Sequence, residues 1–158
     1  MQVGVDTNGK IQVGTSTWGY SFSGNPSVPL NSWTHVAYVF NNYVWSGFVN
    51  GVKVGSYNDT SNLPYSPTLH MAIGLCPGVG AGVYTNKFIG NVFQPMITTN
   101  VKYSSNFTPA TDLSVGASTQ PVAFFMNPGI AGVPIDLVTG NTLLSENGAS
   151  ATGYRFLG

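Results

Sequence analysis

The sequence predicts an all-β fold, an antiparallel β-sandwich of jelly-roll type. Three observations carry this reading. Apolar residues alternate with polar ones over short runs and almost never recur at helical spacing. Clusters of Gly, Asn, Pro and Ser separate the runs, in a chain that holds 20 Gly and 10 Pro. Between two of the runs lies Asn50-Gly51, the strongest short hairpin signature, because both residue types tolerate positive φ.

Taken in order, Val3 and Val5 alternate, Asn8-Gly9 supplies a turn, and Ile11 and Val13 resume the alternation. Trp18, Tyr20 and Phe22 continue it, and residues 25–31, with Pro26 and Pro29, form a loop. Residues 33–40 read as the strongest strand, apolar on both faces toward its end as a central strand should be, with Trp33 in the core. Residues 43–49 and 52–57 make a hairpin about Asn50-Gly51. After a polar loop holding Pro64 and Pro67, Leu69, Met71, Ile73 and Leu75 define a half-buried strand. Residues 77–86 are a Gly-rich loop. Residues 88–97 are a strand that Pro95 marks as an edge or a bulge. Residues 106–118 are irregular, 122–126 form a short strand, and 133–138 with 142–145 form a last hairpin. About ten to twelve short strands at this spacing mean a sandwich or jelly roll. We expect one sandwich core over residues 1–118 and a strand-rich extension over 119–158.

Composition narrows the role. The 158 residues suffice to bury a core, and 42% are hydrophobic. Only 6% are charged, against about 25% in an average soluble protein. The net charge is zero, and the five cations (Lys10, Lys53, Lys87, Lys102, Arg155) are dispersed. A surface without clustered cations points away from nucleic acid and from anionic membranes as partners. Cys76 is the single cysteine, so no disulfide forms within the chain. No apolar run is long enough to cross a bilayer as a helix. The opening Met1-Gln2-Val3-Gly4-Val5-Asp6 has neither a basic region nor an apolar core. If Met1 opens the protein, the expectation is packaging inside a cell and release by lysis.

One pattern goes further. Leu30-Asn31-Ser32-Trp33-Thr34-His35-Val36-Ala37, then Phe48-Val49-Asn50-Gly51 and Val54, resembles the laminin-G-like, concanavalin-A-like family, with its W-x-H-V-A and V-N-G motifs. Phe88-Ile89-Gly90-Asn91-Val92 resembles the strand that closes such domains. Val101-Lys102-Tyr103-Ser104-Ser105-Asn106-Phe107-Thr108-Pro109 resembles their V-x-Y-T-x-N-F-T-P tail, as found in virion proteins of phages and large DNA viruses and in bacterial surface proteins. The blocks cover roughly half the chain in the family's order. The departure lies at the start: the opening F-D-G-S-x-D-Y-L and F-T-I-E-x-W strands are not found upstream of Val3. Residues 122–158 follow instead, and their Ala123-Phe124-Phe125-Met126 and Ile135-Asp136-Leu137 resemble the segment that precedes a module in multi-module virion proteins. The resemblance thus implies a partial module, or one whose missing strands come from elsewhere. The extension is expected to pair with a sheet edge, either its own or that of a neighbouring copy.

Related folds include glucanases, whose E-x-D-x-x-E strand puts paired carboxylates at the spacing retaining hydrolysis requires. Here Asp6, Asp59, Asp112, Asp136 and Glu146 are scattered, so no enzyme is expected. There is no His-Cys spacing for zinc. The family motif implies that His35 is a strand histidine hydrogen-bonded within the sheet. His70 alternates out of phase with Leu69 and Met71. Calcium is a family habit, and Asp59 is its best-placed candidate, but it lacks companion carboxylates and no cofactor is expected. Asn58-Asp59-Thr60 and Asn106-Phe107-Thr108 match the glycosylation sequon, which chance explains often.

Aromatics make up 13% of the chain and are the informative class, since flat rings with polar tips suit the C–H faces of sugars. Trp45, Tyr84, Tyr43 and Trp18 are the expected carbohydrate-binding residues, the first two because Gly and Asn neighbours suggest exposure. Tyr20, Tyr57 and Tyr65 lie in similar settings, while Trp33, Phe48 and Phe88 are expected in the core. The expected role is a non-enzymatic structural module of a virion or extracellular surface assembly, partnered by copies of itself or other surface proteins. The alternative is an adhesion module that recognises glycans.

Overall fold

A computed structural model describes residues 2–14, 20–60, 76–77, 84–85, 89–93, 95–110, 122–127 and 135–136. The expectations for Trp18, Tyr65, His70, Phe88, the run 69–75 and the turn at 139–141 lie outside these residues. The described elements are all strands, and every pairing is antiparallel. The chain divides into two compact units. One comprises Met1–Phe88 with Val101–Pro109, and the other Ile89–Asn100 with Ala110–Gly158. This division puts 89–100 with the C-terminal residues, where the sequence reading drew a single boundary at 118.

In the first unit, β1 (Gln2–Val5), β2 (Ile11–Gly14) and β3 (Tyr20–Ser21) form one meander, and β4 (Val36–Asn41), β5 (Val44–Val49) and β6 (Val52–Asn58) form a second. A short pair, β7 (Cys76–Pro77) and β8 (Tyr84–Thr85), adds a third sheet. Alternation decides which side chains face inward. Ile11, Val13 and Phe22 from the first meander meet Trp45, Val49 and Val54 from the second, all at most 5% exposed. Tyr38 and Phe40 pack against this cluster from β4.

Glycine makes the close approach possible at one place. Gly47 and Gly55 are register partners on β5 and β6. A Cβ at Gly47 would lie 2.6 Å from Ile11 Cδ1 and 2.9 Å from Phe22 Cδ2, and one at Gly55 would lie 2.8 Å from Phe22 Cδ1. The paired glycines therefore form a notch that receives the Phe22 ring.

The first hairpin is organised by Asp6. Its Oδ1 accepts the Asn8 and Lys10 amides at 2.8 and 2.9 Å, and its Oδ2 accepts the Ser21 hydroxyl at 2.8 Å. Desolvation raises the Asp6 pKa, but the Lys10, Ser21 and Asn8 donors outweigh it and the net shift is downward.

Both connections in the second meander are two-residue turns with positive φ at each position. Asn50 and Gly51 sit at 48° and 77°, as the sequence predicts for a type I′ hairpin. Asn42 and Tyr43 sit at 47° and 61°. Tyr43 therefore belongs to the turn rather than to β5, and its carbonyl is held by the Asp59 amide at 2.7 Å.

Two sequence expectations are corrected here. Trp33 is 58% exposed and precedes the strand. The reason is register: β5 ends at Val49, opposite Val36, so the ladder has no partner strand further upstream. Asn50 ends it by bonding His35 twice, through its own amide (2.8 Å) and through Oδ1 (2.9 Å). Residues 89–93 are not strand, and Ile89 is 97% exposed. The strand begins only after Pro95, which has no amide hydrogen to give a ladder.

In the second unit, β10 (Val122–Asn127) lies between β9 (Met96–Thr98) and β11 (Ile135–Asp136). The predicted strand at 122–126 thus exists and pairs within the chain, with β9 over 122–125 and with β11 over 126–127.

Candidate functional groove on the outer sheet face

The side chains of β5 that point away from the core are Val44, Ser46 and Phe48. Phe48 is nonetheless fully buried. It is covered by Val101–Pro109, which crosses the outer face of the second meander. Tyr103 and Phe107 stack with centroids 3.5 Å apart and planes 5° off parallel. Both rings pack on Phe48, at 6.3 and 5.5 Å, and both meet the His35 ring edge-on, at 6.3 and 5.5 Å.

Polar bonds fix the segment to the Asn50-Gly51 hairpin. The Phe107 amide donates to the Gly51 carbonyl at 2.9 Å, and the Lys53 amide donates to Asn106 Oδ1 at 2.8 Å. A Cβ at Gly51 would collide with the Phe107 carbonyl oxygen, so this close approach requires glycine as much as the turn does.

Where the segment does not cover the sheet, an open groove of about 280 Å³ remains. Val39, Asn41, Asn42, Val44 and Ser46 form its floor and end, and Val101 and Tyr103 form its wall. Ser46 also lies 3.3 Å from the Ser56 hydroxyl. The groove thus offers two carboxamides, a hydroxyl, an aromatic ring and branched aliphatic groups. Burial raises the Tyr103 pKa, so its phenol stays protonated near neutral pH. No lining residue carries a charge there, and the chemistry is hydrogen bonding and apolar contact.

Of the four predicted aromatic residues, the structure describes the side chains of Trp45 and Tyr43, and it does not bring these two together. Trp45 is corrected outright: it is 2% exposed and its Nε1–H donates to Asp59 Oδ2 at 3.3 Å, so no ring face is open to a sugar. Its glycine neighbour Gly47 makes room for Phe22 rather than exposing the indole. Tyr43 is 59% exposed and adjoins Asn42 at the groove's end. Tyr84 lies in β8 opposite Pro77, and Trp18 is outside the described residues. Asp59 is buried at 6% exposure beneath Trp45. Among the described residues no three His, Cys, Asp or Glu side chains gather as metal ligands. Sequence reading missed Asn41, Asn42, Ser46, Val101 and Tyr103 as groove residues.

Two stacked antiparallel meanders with a groove on one outer face define a β-sandwich module. The comparison with known families agrees. The laminin-G-type family model described as the concanavalin A-like lectin/glucanases superfamily matches residues 1–91, more than half of the 158. The chain belongs to this family. No curated protein and no solved structure matches it. Domains of this class are carbohydrate-binding or structural modules and are generally non-enzymatic.

Proposed function

We propose that this chain is a non-enzymatic module of a virion or extracellular surface assembly that binds neutral carbohydrate. The observation that carries the reading is the uncharged groove. Asn41, Asn42 and Ser46 supply the donors and acceptors that sugar hydroxyls need, and Tyr103 with Val101 supplies apolar contact for C–H faces. The groove's small volume and openness suit one or two sugar residues and weak affinity, about 0.1–1 mM per site, or roughly −4 to −5.5 kcal/mol. Useful avidity then comes from many copies on one surface.

The test is a glycan array probed with the multivalent protein, followed by amide chemical-shift mapping of the selected sugar. Shifts should centre on Asn41, Asn42 and Ser46, and Asn42→Ala or Ser46→Ala should weaken binding about tenfold. Binding that leaves these amides unmoved, or no binding to any neutral glycan, overturns the reading.

A second reading, in which the module serves assembly alone, has its own observation. Leu30 is 92% and Trp33 58% exposed in one loop of a chain that is only 6% charged. Copies of the chain or other surface proteins are the partners this fits. Nucleic acid and membranes remain unfavoured by the dispersed charge. A particle reconstruction that buries this loop in a protein interface would favour it.

A further inference from the structure

We infer that Val101–Pro109 is an acid-sensitive clasp and that His35 is the group that releases it. His35 holds the middle of the clasp. Its ring meets Tyr103 and Phe107 edge-on, at interplanar angles of 82° and 81°. Its Nδ1 is buried and has no hydrogen-bond partner among the described residues. The backbone around the ring is already committed, since the His35 amide and carbonyl both bond Asn50.

A neutral imidazole tolerates this site, because Nδ1 can carry a lone pair. An imidazolium cannot, because Nδ1 would then be a charged N–H donor shut in with aromatic rings and no acceptor. Attraction to the ring faces does not replace the missing acceptor.

The surrounding charges oppose protonation too. On the covering segment the ionisable groups are Lys102 and Tyr103. The Lys102 ammonium acts on His35 through space and lies 5.6 Å from the Tyr103 centroid. Tyr103 is neutral in the relevant range. On the sheet, Lys53 is the register partner of Phe48, which puts a second cation on the same face. The Asn50-Gly51 turn has no ionisable side chain. The described carboxylates of the first unit are engaged elsewhere: Asp6 with Ser21, and Asp59 with Trp45. Desolvation first, and then Lys102, accordingly lowers the His35 pKa.

The linkage has a definite sign. The closed clasp favours neutral His35, and the open clasp returns the ring to water and an ordinary pKa near 6.5. Closure is therefore pH-independent above about 7 and weakens as pH falls through the ordinary imidazole value. Between pH 7.5 and 5.5 the open population rises by up to about tenfold. Opening frees Val101 and Tyr103, which wall the groove. On the carbohydrate reading proposed above, on which this last step rests, the module holds its glycan at neutral pH and loosens it in acid.

Two amides report closure without any ligand: Phe107, bonded to Gly51, and Lys53, bonded to Asn106. Their hydrogen-exchange protection, corrected for intrinsic rates, should drop by up to about tenfold between pH 7.5 and 5.5. The Phe22 amide, bonded to the Ile11 carbonyl within the first meander, should not follow. His35→Phe keeps an aromatic wedge and should abolish the drop. If that variant does not fold, the His35 ring titration in the unaltered protein decides the matter: it should lie below 6.5. Unchanged protection at the two clasp amides, or a His35 pKa at or above 6.5, overturns the clasp whether or not the module binds glycan. A clasp that opens in acid while glycan affinity stays constant overturns only its link to the groove.

Discussion

Gly47 is a tightly packed point of the sandwich core, and Gly47→Ala tests why. The new Cβ would sit 2.6 Å from Ile11 Cδ1 and 2.9 Å from Phe22 Cδ2. Both neighbours are 1% exposed, so neither can swing into solvent. Overpacking of this kind costs about 1–3 kcal/mol. Replacing a strand glycine returns about 0.5–1 kcal/mol through the unfolded chain. The net loss should be about 1–2 kcal/mol, read as a lower urea midpoint at unchanged slope. Ile11→Val removes the nearest clashing atom and alone costs about 0.5–1.5 kcal/mol. Because it opens space for the alanine, the double variant should be more stable than additivity allows, by at least about 0.5 kcal/mol. Gly4→Ala is the control: its Cβ would meet only Gln12, at 3.7 Å or more, and it should be neutral or stabilising by up to about 1 kcal/mol. Strict additivity of the pair, or equal effects at Gly47 and Gly4, would refute the notch.

Four further outcomes follow from described geometry. Gly51→Val should cost about 2–3 kcal/mol and expose the Phe107 amide to exchange, since the position has φ 77° and faces the Phe107 carbonyl. Trp45→Phe keeps the core filled but removes the bond to the buried Asp59, and should cost about 1–3 kcal/mol by urea titration. Trp33→Ala, by contrast, should cost about 1 kcal/mol or less, because the ring is mostly in solvent. The lowered Asp6 pKa predicts stability that is present above the unfolded value near 4 and lost as pH falls through the folded one. Asp6→Asn should flatten that acid limb.

The hairpin at Asn50-Gly51 was legible because its cause is local: two residues, both able to take positive φ. Phe48 was legible as core, although what buries it is a segment more than fifty positions away. Trp33 was misread for a register reason. Its run is apolar and strand-like, but β5 stops at Val49 and leaves it without a partner. For Trp45, Gly and Asn neighbours suggest exposure, but the glycine serves another purpose. The alternation Trp45, Gly47, Val49 puts all three on the core face, where glycine admits Phe22. The groove could not be read from any one stretch. Asn41 and Ser46 are unremarkable strand residues until Val101 and Tyr103 are laid beside them, and that adjacency belongs to the fold.

The bond from the Lys53 amide to Asn106 spans 53 positions. Its ring of chain is closed by the clasp, and the entropy of closing such a ring grows only with the logarithm of its length. Doubling the intervening chain would weaken docking by about 0.6 kcal/mol, less than a single good hydrogen bond contributes. In entropic terms, added chain between Asn58 and Val101 costs little, provided it spares the paired strands β7, β8 and β9 that lie in that stretch. Extra strands, a loop or a whole appended domain could be spliced there while His35, Asn50, Gly51, Tyr103 and Phe107 still find one another.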